Sequence, residues 1–167
     1  MLFLFVLLSA NIIGQDVTIP DANFKAYLVG YSAINTNGDT EIQVSEANVF
    51  TGMIDCSDLG ISDLTGIEAF TALTELRCWD NQLTSLNVSQ NINLNFLYCF
   101  NNQLTSLDLT QNTDLISLGC GSNQLISLDV SQNVNLQLLD FDDNQLTSIE
   151  LSQNPLLSFL FCNNNQL

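Results

Sequence analysis

Histidine is absent from all 167 residues, and lysine and arginine together number 2 against 18 aspartates and glutamates. Each shortage closes off a class of chemistry. Without histidine, the commonest general base and the commonest metal-binding side chain are both missing, which removes most hydrolase and transition-metal readings. A formal net charge of −16 repels a phosphate backbone or an anionic lipid surface, so no nucleic-acid or lipid-surface role is expected. Cations remain as partners. Charged residues make up only 12% of the chain while hydrophobic ones reach 46%. The polar remainder is Asn, Gln, Ser and Thr, a balance that suits a neutral-surfaced solenoid and not a disordered chain.

The opening run, MLFLFVLLSANIIGQ, has the length of a signal h-region and is too short to span a bilayer. Ser9, Ala10 and Gly14 supply small residues near a cleavage point before or around Gln15. No lysine or arginine precedes the run, so the true start of translation is expected upstream of Met1; no cysteine follows it, so a lipid anchor is not indicated. Residues 1–15 are therefore read as a signal peptide, with a buried N-terminal strand as the plainer alternative. The mature protein is expected to be secreted or held at the cell surface, with no membrane insertion after cleavage.

What the chain has in abundance is one repeated phrase. NNQLTSLDLTQN at 101–112 returns as DNQLTSLNVSQN, SNQLISLDVSQN and DNQLTSIELSQN, and NNQL closes the sequence. Asn81, Asn102, Asn123, Asn144 and Asn165 stand 21 residues apart, as do Leu76, Leu97, Leu118, Leu139 and Leu160. A fixed period of this length means stacked coils, none of which buries its apolar edge alone. Each unit holds a second rhythm: Leu83, Leu86, Val88 and Asn91 repeat the form of Leu73, Leu76, Cys78 and Asn81. Alternating apolar and polar residues in both halves carry the period of a strand, which predicts two parallel ladders per coil, or one ladder backed by a merely extended segment. Asparagine closes each half because its amide donates and accepts at a bend.

The phrase L-x-x-L-x-C-x-x-N-x-L, as in Leu73, Leu76, Cys78, Asn81 and Leu83, resembles the leucine-rich repeat from about residue 54 onward. SDLTGIEAFTALTEL at 62–76 resembles the internalin-type repeats of secreted bacterial proteins. The resemblance implies a mainly β solenoid, a leucine-rich repeat array at 53–167 preceded by a helical cap at 16–52. It also implies recognition of protein or carbohydrate through the strand face, within a larger surface protein. The stop at NNNQL, in mid-coil with nothing to shield Leu160, reads as a truncated last coil.

Cys78, Cys99, Cys120 and Cys162 occupy one repeat position, Cys56 aligns with them, and Phe141 fills the missing rung. Phenylalanine neither ligates a metal nor forms a disulfide, so the position is read as an interior one holding free thiols. In the cap, Ile19-Pro20-Asp21 starts a helix carried by Phe24, Tyr27, Leu28 and Tyr31, and a second short helix is expected from Ser45 to about Phe50. The segment between them resembles an EF-hand or dockerin calcium loop. Asn35, Asn37 and Asp39 stand at positions 1, 3 and 5, Glu41 offers its carbonyl, Ile42 is the apolar residue and Glu46 is position 12. Asn replaces Asp at position 1, and Gly38 stands at position 4 with Thr40 at position 6, which implies weak binding of Ca2+ in a structural role. The bland alternative is a plain turn between cap helices.

Strand alternation places Trp79, Phe96, Tyr98, Phe100, Asp140, Phe159 and Phe161 outward, with Gly119 and Gly121 leaving a shallow dip in which a sugar ring or partner side chain could sit. Outward aromatics mark a binding patch or a self-association surface. The opposite halves expose serines and threonines with an acidic column of Asp108, Asp129 and Glu150, a solvated backing. Asp140, Asp142 and Asp143 lie on one turn and do not flank a scissile bond, so no enzyme is expected. The sequence points to a non-catalytic secreted or cell-surface module that binds protein or glycan through its aromatic face, the alternative being a structural spacer of a larger secreted protein.

Overall fold

The computed structural model describes residues 14–167. Thirteen of the fifteen residues assigned to the signal peptide lie outside that range. The cap begins with a segment bridged to the second helix, Val17 donating its amide to the Ile42 carbonyl and Val44 to that of Gln15. Helix α1 spans Ala22–Gly30 and is capped by Asp21, whose carboxylate accepts from the amides of Asn23 and Phe24 and so satisfies two of the helix's free donors. The α1 side chains Phe24 and Leu28 are fully buried and cover the first coil. Helix α2 is a single turn, Val44–Ala47, shorter than the span expected to Phe50. Asn48 closes it, donating its amide to the Val44 carbonyl.

Six parallel strands follow in sequence order: β1 Gly52–Asp55, β2 Leu73–Arg77, β3 Phe96–Tyr98, β4 Ser117–Gly119, β5 Leu138–Asp140 and β6 Phe159–Phe161. From β2 onward the register equals the repeat, with Leu76, Leu97, Leu118, Leu139 and Leu160 on one row. A 3-10 turn at Ile67–Ala69 sits between β1 and β2. Inside the coil, Leu76, Leu97, Leu118 and Leu139 are fully buried, as are Cys56, Cys78, Cys99, Cys120 and Phe141. All five thiols are free, and only Cys162 is half-exposed. Each interior leucine contributes roughly 1.5–3 kcal/mol by leaving water.

Of the two arrangements open from the sequence, the structure takes the second: one ladder, backed by an extended segment with no strand. The reason is local. In the back half Asn87, Asp108, Asp129 and Glu150 each use a side-chain oxygen to accept the amide two residues on, at Ser89, Thr110, Ser131 and Ser152. Such side-chain turns compete with ladder bonding for the same amides. The front half ends in a different bend, with one left-handed residue per coil at Asp58, Asp80, Asn101, Ser122, Asp143 and Asn164, φ between 51° and 54°. Asp and Asn tolerate that conformation better than other side chains.

Candidate functional site

The strand half fixes which side chains look outward. Leu97 and Cys99 point to the core, so Phe96, Tyr98 and Phe100 project to the other face, and neighbouring strands repeat the pattern in register. Paired across strands are Glu75 with Phe96 and Arg77 with Tyr98, then Tyr98 with Gly119, Gly119 with Asp140 and Asp140 with Phe161.

The aromatic residues are held in place by the fold itself. Trp79 and Phe100 stack with ring centroids 5.4 Å apart and planes 7° from parallel. Tyr98 donates its hydroxyl to the Ser117 hydroxyl at 3.2 Å. The Arg77 guanidinium lies 6.0 Å from the Tyr98 ring centre, its Nε donating to Glu75 at 2.7 Å with Asp55 at 3.8 Å.

The expected open dip at Gly119 and Gly121 is corrected by the structure. Both glycines are buried. A Cβ on Gly119 would meet Tyr98 Cδ1 at 3.0 Å and Phe100 Cδ1 at 3.6 Å, and one on Gly121 would meet Asp140 Oδ1 at 3.2 Å. The space the glycines leave is thus roofed by rings leaning in from the preceding rungs on one side and by a carboxylate on the other. What the face presents there is a seam between Tyr98, Phe100 and Asp140. Burial pushes the Asp140 carboxyl above its ordinary pKa; the Asp142 amide pulls against this, and the charges of Asp142 and Asp143 add to it.

The assigned residues do not form one patch. Trp79, Phe96, Tyr98 and Phe100 gather on the β2–β3 rungs, with Asp140 across the glycine seam. Phe159 and Phe161, 61% and 44% exposed, stand three strand spacings from β3, ~14 Å. Sequence reasoning missed a groove at the cap end of the same sheet, lined by Ala26, Tyr27, Gly30, Tyr31 and Met53 and about 420 Å³ in volume. The i, i+4 spacing of Tyr27 and Tyr31 is the available signal, but in the sequence it shows only as part of the α1 helical pattern. Tyr27 uses its hydroxyl to accept the Asp55 amide at 3.0 Å, which ties the groove to the edge of β1.

The segment assigned to calcium has its oxygens engaged from within. Asn35 Oδ1 accepts the Gly38 amide, Asn37 Oδ1 that of Asp39, and Asp39 Oδ1 that of Glu41. Glu46 Oε1 accepts from the Thr36 amide and hydroxyl and the Asn37 amide, and its Oε2 accepts the Gln43 amide. Burial raises the Glu46 pKa, and these donors outweigh it, leaving the carboxyl below its ordinary value. The Glu41 carboxylate pairs with Lys25 at 2.7 Å. Among the described residues no group of three or more acidic or thiol side chains is arranged to hold a metal.

No family model matches the chain. A parallel solenoid with one strand per 21-residue coil, a leucine-lined core and a short helical cap defines a leucine-rich repeat protein. Its likeness is to the internalins. Internalin J of Listeria monocytogenes is 40% identical over 72 residues, a stretch covering 43% of this chain and 8% of that protein. The crystal structure of an internalin, internalin F, from Listeria monocytogenes matches 73% of this chain and 36% of its own, with a TM-score of 0.67 and 27% identity. A leucine-rich repeat protein of Leptospira interrogans matches 60% of this chain and 28% of its own, with a TM-score of 0.58 and 30% identity. The chain therefore spans well under half the length of each of these three. No helix among the described residues is long and apolar enough to cross a membrane.

Proposed function

We propose that the chain is a non-catalytic binding module of a secreted or cell-surface protein, and that it recognises a protein partner through its strand face. The observation that carries this reading is the prearranged cluster of Trp79, Tyr98 and Phe100. Three large rings on an outward face are fixed by stacking and by a hydroxyl contact before any partner arrives. Rings already ordered lose little freedom on association, and Trp and Tyr dominate the strong contacts of protein interfaces. The similarity to internalins supports the coarser statement that this is a binding repeat. A glycan ligand and a purely structural spacer rank below it, since a spacer has no need of fixed outward rings.

The test compares binding to a panel of candidate surface proteins by the wild-type chain, a Trp79→Ser/Tyr98→Ser variant and a back-face control, Asp108→Asn/Asp129→Asn. Loss in the front variant alone, with unchanged circular dichroism, supports the reading. Equal binding by all three overturns it.

Calcium at Asn35, Asn37, Asp39, Glu41 and Glu46 is kept as a second proposal, supported by the spacing of the oxygens. Binding there requires Glu46 to leave the Thr36 and Asn37 amides. A rise in melting temperature at millimolar calcium that vanishes in Glu46→Gln supports it; no rise, or an equal one in both chains, removes it.

A further inference from the structure

We propose that the strand face takes its protein partner by a lysine or arginine side chain of that partner, seated where the Tyr98 and Phe100 rings meet the Asp140 carboxylate over the Gly119–Gly121 backbone. The inference rests on the strand face being the protein-binding surface and adds what the partner brings to it.

The chain carries −16 with only two cationic side chains, and both are paired toward the N-terminal end, Lys25 with Glu41 and Arg77 with Glu75 and Asp55. Among the described residues no cation neutralises Asp140, Asp142 or Asp143. Asp142 is engaged by the amide and side chain of Asn163, and Asp143 by the Asn164 side chain. Asp140 has one bond, from the Asp142 amide to Oδ1, which leaves Oδ2 without a partner among the described residues.

The face already contains the complete arrangement once. On the N-terminal side of Tyr98, the Arg77 guanidinium lies against the ring at 6.0 Å while Glu75 holds it at 2.7 Å. Ring, guanidinium and carboxylate stand together there. On the C-terminal side of the same ring the carboxylate is present as Asp140 and a second ring as Phe100, but the chain offers no cation. Strands β3 and β5 are two spacings apart, ~10 Å, so a cation held between them is within reach of both an aromatic face and a carboxylate. The glycines make this geometry. Side chains at 119 and 121 would occupy the seam and push the rings and Asp140 apart.

The acidic column on the back lacks these features. Asp108 and Asp129 carry charge in similar density, but each accepts from its own Thr110 or Ser131, and no ring of the front cluster reaches them. Charge alone would draw a basic partner to either side. The rings and the glycine seam favour the front.

The experiment titrates the isotopically labelled full chain with N-acetyl-arginine methylamide and follows amide signals, with N-acetyl-norleucine methylamide as the uncharged probe. The Gly119 and Gly121 amides shift saturably with the arginine probe, and Asp140→Asn weakens the effect about tenfold, while Asp129→Asn leaves it unchanged. Equal shifts with norleucine, equal shifts along Asp108 and Asp129, or insensitivity to Asp140→Asn overturn the inference. Its failure is separable from failure of the broader reading. A protein partner lost on Trp79→Ser/Tyr98→Ser but bound unchanged by Asp140→Asn keeps the strand face and removes the cation seat.

Discussion

The two halves of each coil obey nearly the same formula, yet they are held together differently, and their asparagines record the difference. In the front column, Asn123 donates to the carbonyls of Cys99, Cys120 and Gly121 and accepts the amide of Leu104. In the back column, Asn133 donates to the carbonyls of Leu109 and Asn112, while its Oδ1 is buried without a partner, as are those of Asn91, Asn112 and Asn154. The front asparagine joins its own coil to the preceding one, both donating and accepting across the joint. The back one is tied to the preceding coil by donation alone. One amide thus both donates and accepts between coils where strands pair, and only donates where they do not. The ladder side is therefore the rigid side, and it is the side that displays the aromatic cluster.

The sharpest way to break this comparison is to remove one asparagine from each column. Asn123→Ala leaves the Leu104 amide buried without an acceptor and takes one of two side-chain donors from the Cys99 and Cys120 carbonyls, which keep Asn102 and Asn144, an expected loss of about 3 kcal/mol in urea unfolding. Asn133→Ala is expected to lose about 1 kcal/mol, because the Leu109 and Asn112 carbonyls keep the turn amides of Asn112 and Leu115 and the orphaned oxygen disappears. Equal losses would mean that both columns support the coil alike.

A second effect belongs to the interior of the front half. Burial pushes the Cys56 and Cys99 thiols up to about 12, and it raises Cys78 and Cys120 well above the ordinary value. An unfolded thiol ionises near 9, so stability is complete below that pH and falls as pH rises from about 9 toward 12. Each fully buried thiol is expected to lose on the order of 1 kcal/mol by pH 10, and Cys99→Ala is expected to flatten the decline in a pH series under reducing conditions. In native protein a thiol reagent should modify Cys162 first. Rapid modification of all five would contradict the interior column.

Gly119→Ala is expected to act more on the face than on the fold. The new methyl displaces the Tyr98 ring from 3.0 Å, with a stability loss of about 1 kcal/mol and a larger proportional loss of partner binding. The smallest effect lies on the back. Donation from the Thr110, Ser131 and Ser152 amides and hydroxyls holds Asp108, Asp129 and Glu150 below their ordinary pKa values. Their contribution is present above the usual carboxylate range and fades as pH falls through the lowered values. Carboxyl titration by NMR should place all three midpoints low, with little change in melting temperature for Asp129→Asn.

The repeat made the solenoid legible. Leu76 through Leu139 and the thiol column set the core, the register and the outward identity of Trp79, Tyr98 and Phe100 directly, because a period-2 strand repeated every 21 residues leaves no alternative placement, while Leu160 on the last rung is 44% exposed. The single ladder was not legible, since Leu86, Asn87 and Val88 alternate as a strand does; the decision came from side-chain acceptors capturing amides locally. The seam at Gly119 was misread for a related reason. A missing side chain was taken for an open dip, whereas its three-dimensional neighbours, Tyr98 and Asp140, lean over it and narrow it to a seam. The cap groove at Tyr27, Tyr31 and Met53 depends on how α1 lies against β1, which no local pattern specifies.

Amide hydrogen exchange on the intact chain bears most directly on the claim that the front ladder is the rigid support of the binding face. Cys99 and Asn101 donate their amides to the next strand half, and Leu104 donates to Asn123. Those amides should exchange slowest, at rates set by global unfolding. The amides of Thr110, Ser131 and Ser152, held by exposed carboxylates, should exchange orders of magnitude faster. Uniform protection of both halves, or faster exchange at Cys99 than at Thr110, would contradict it.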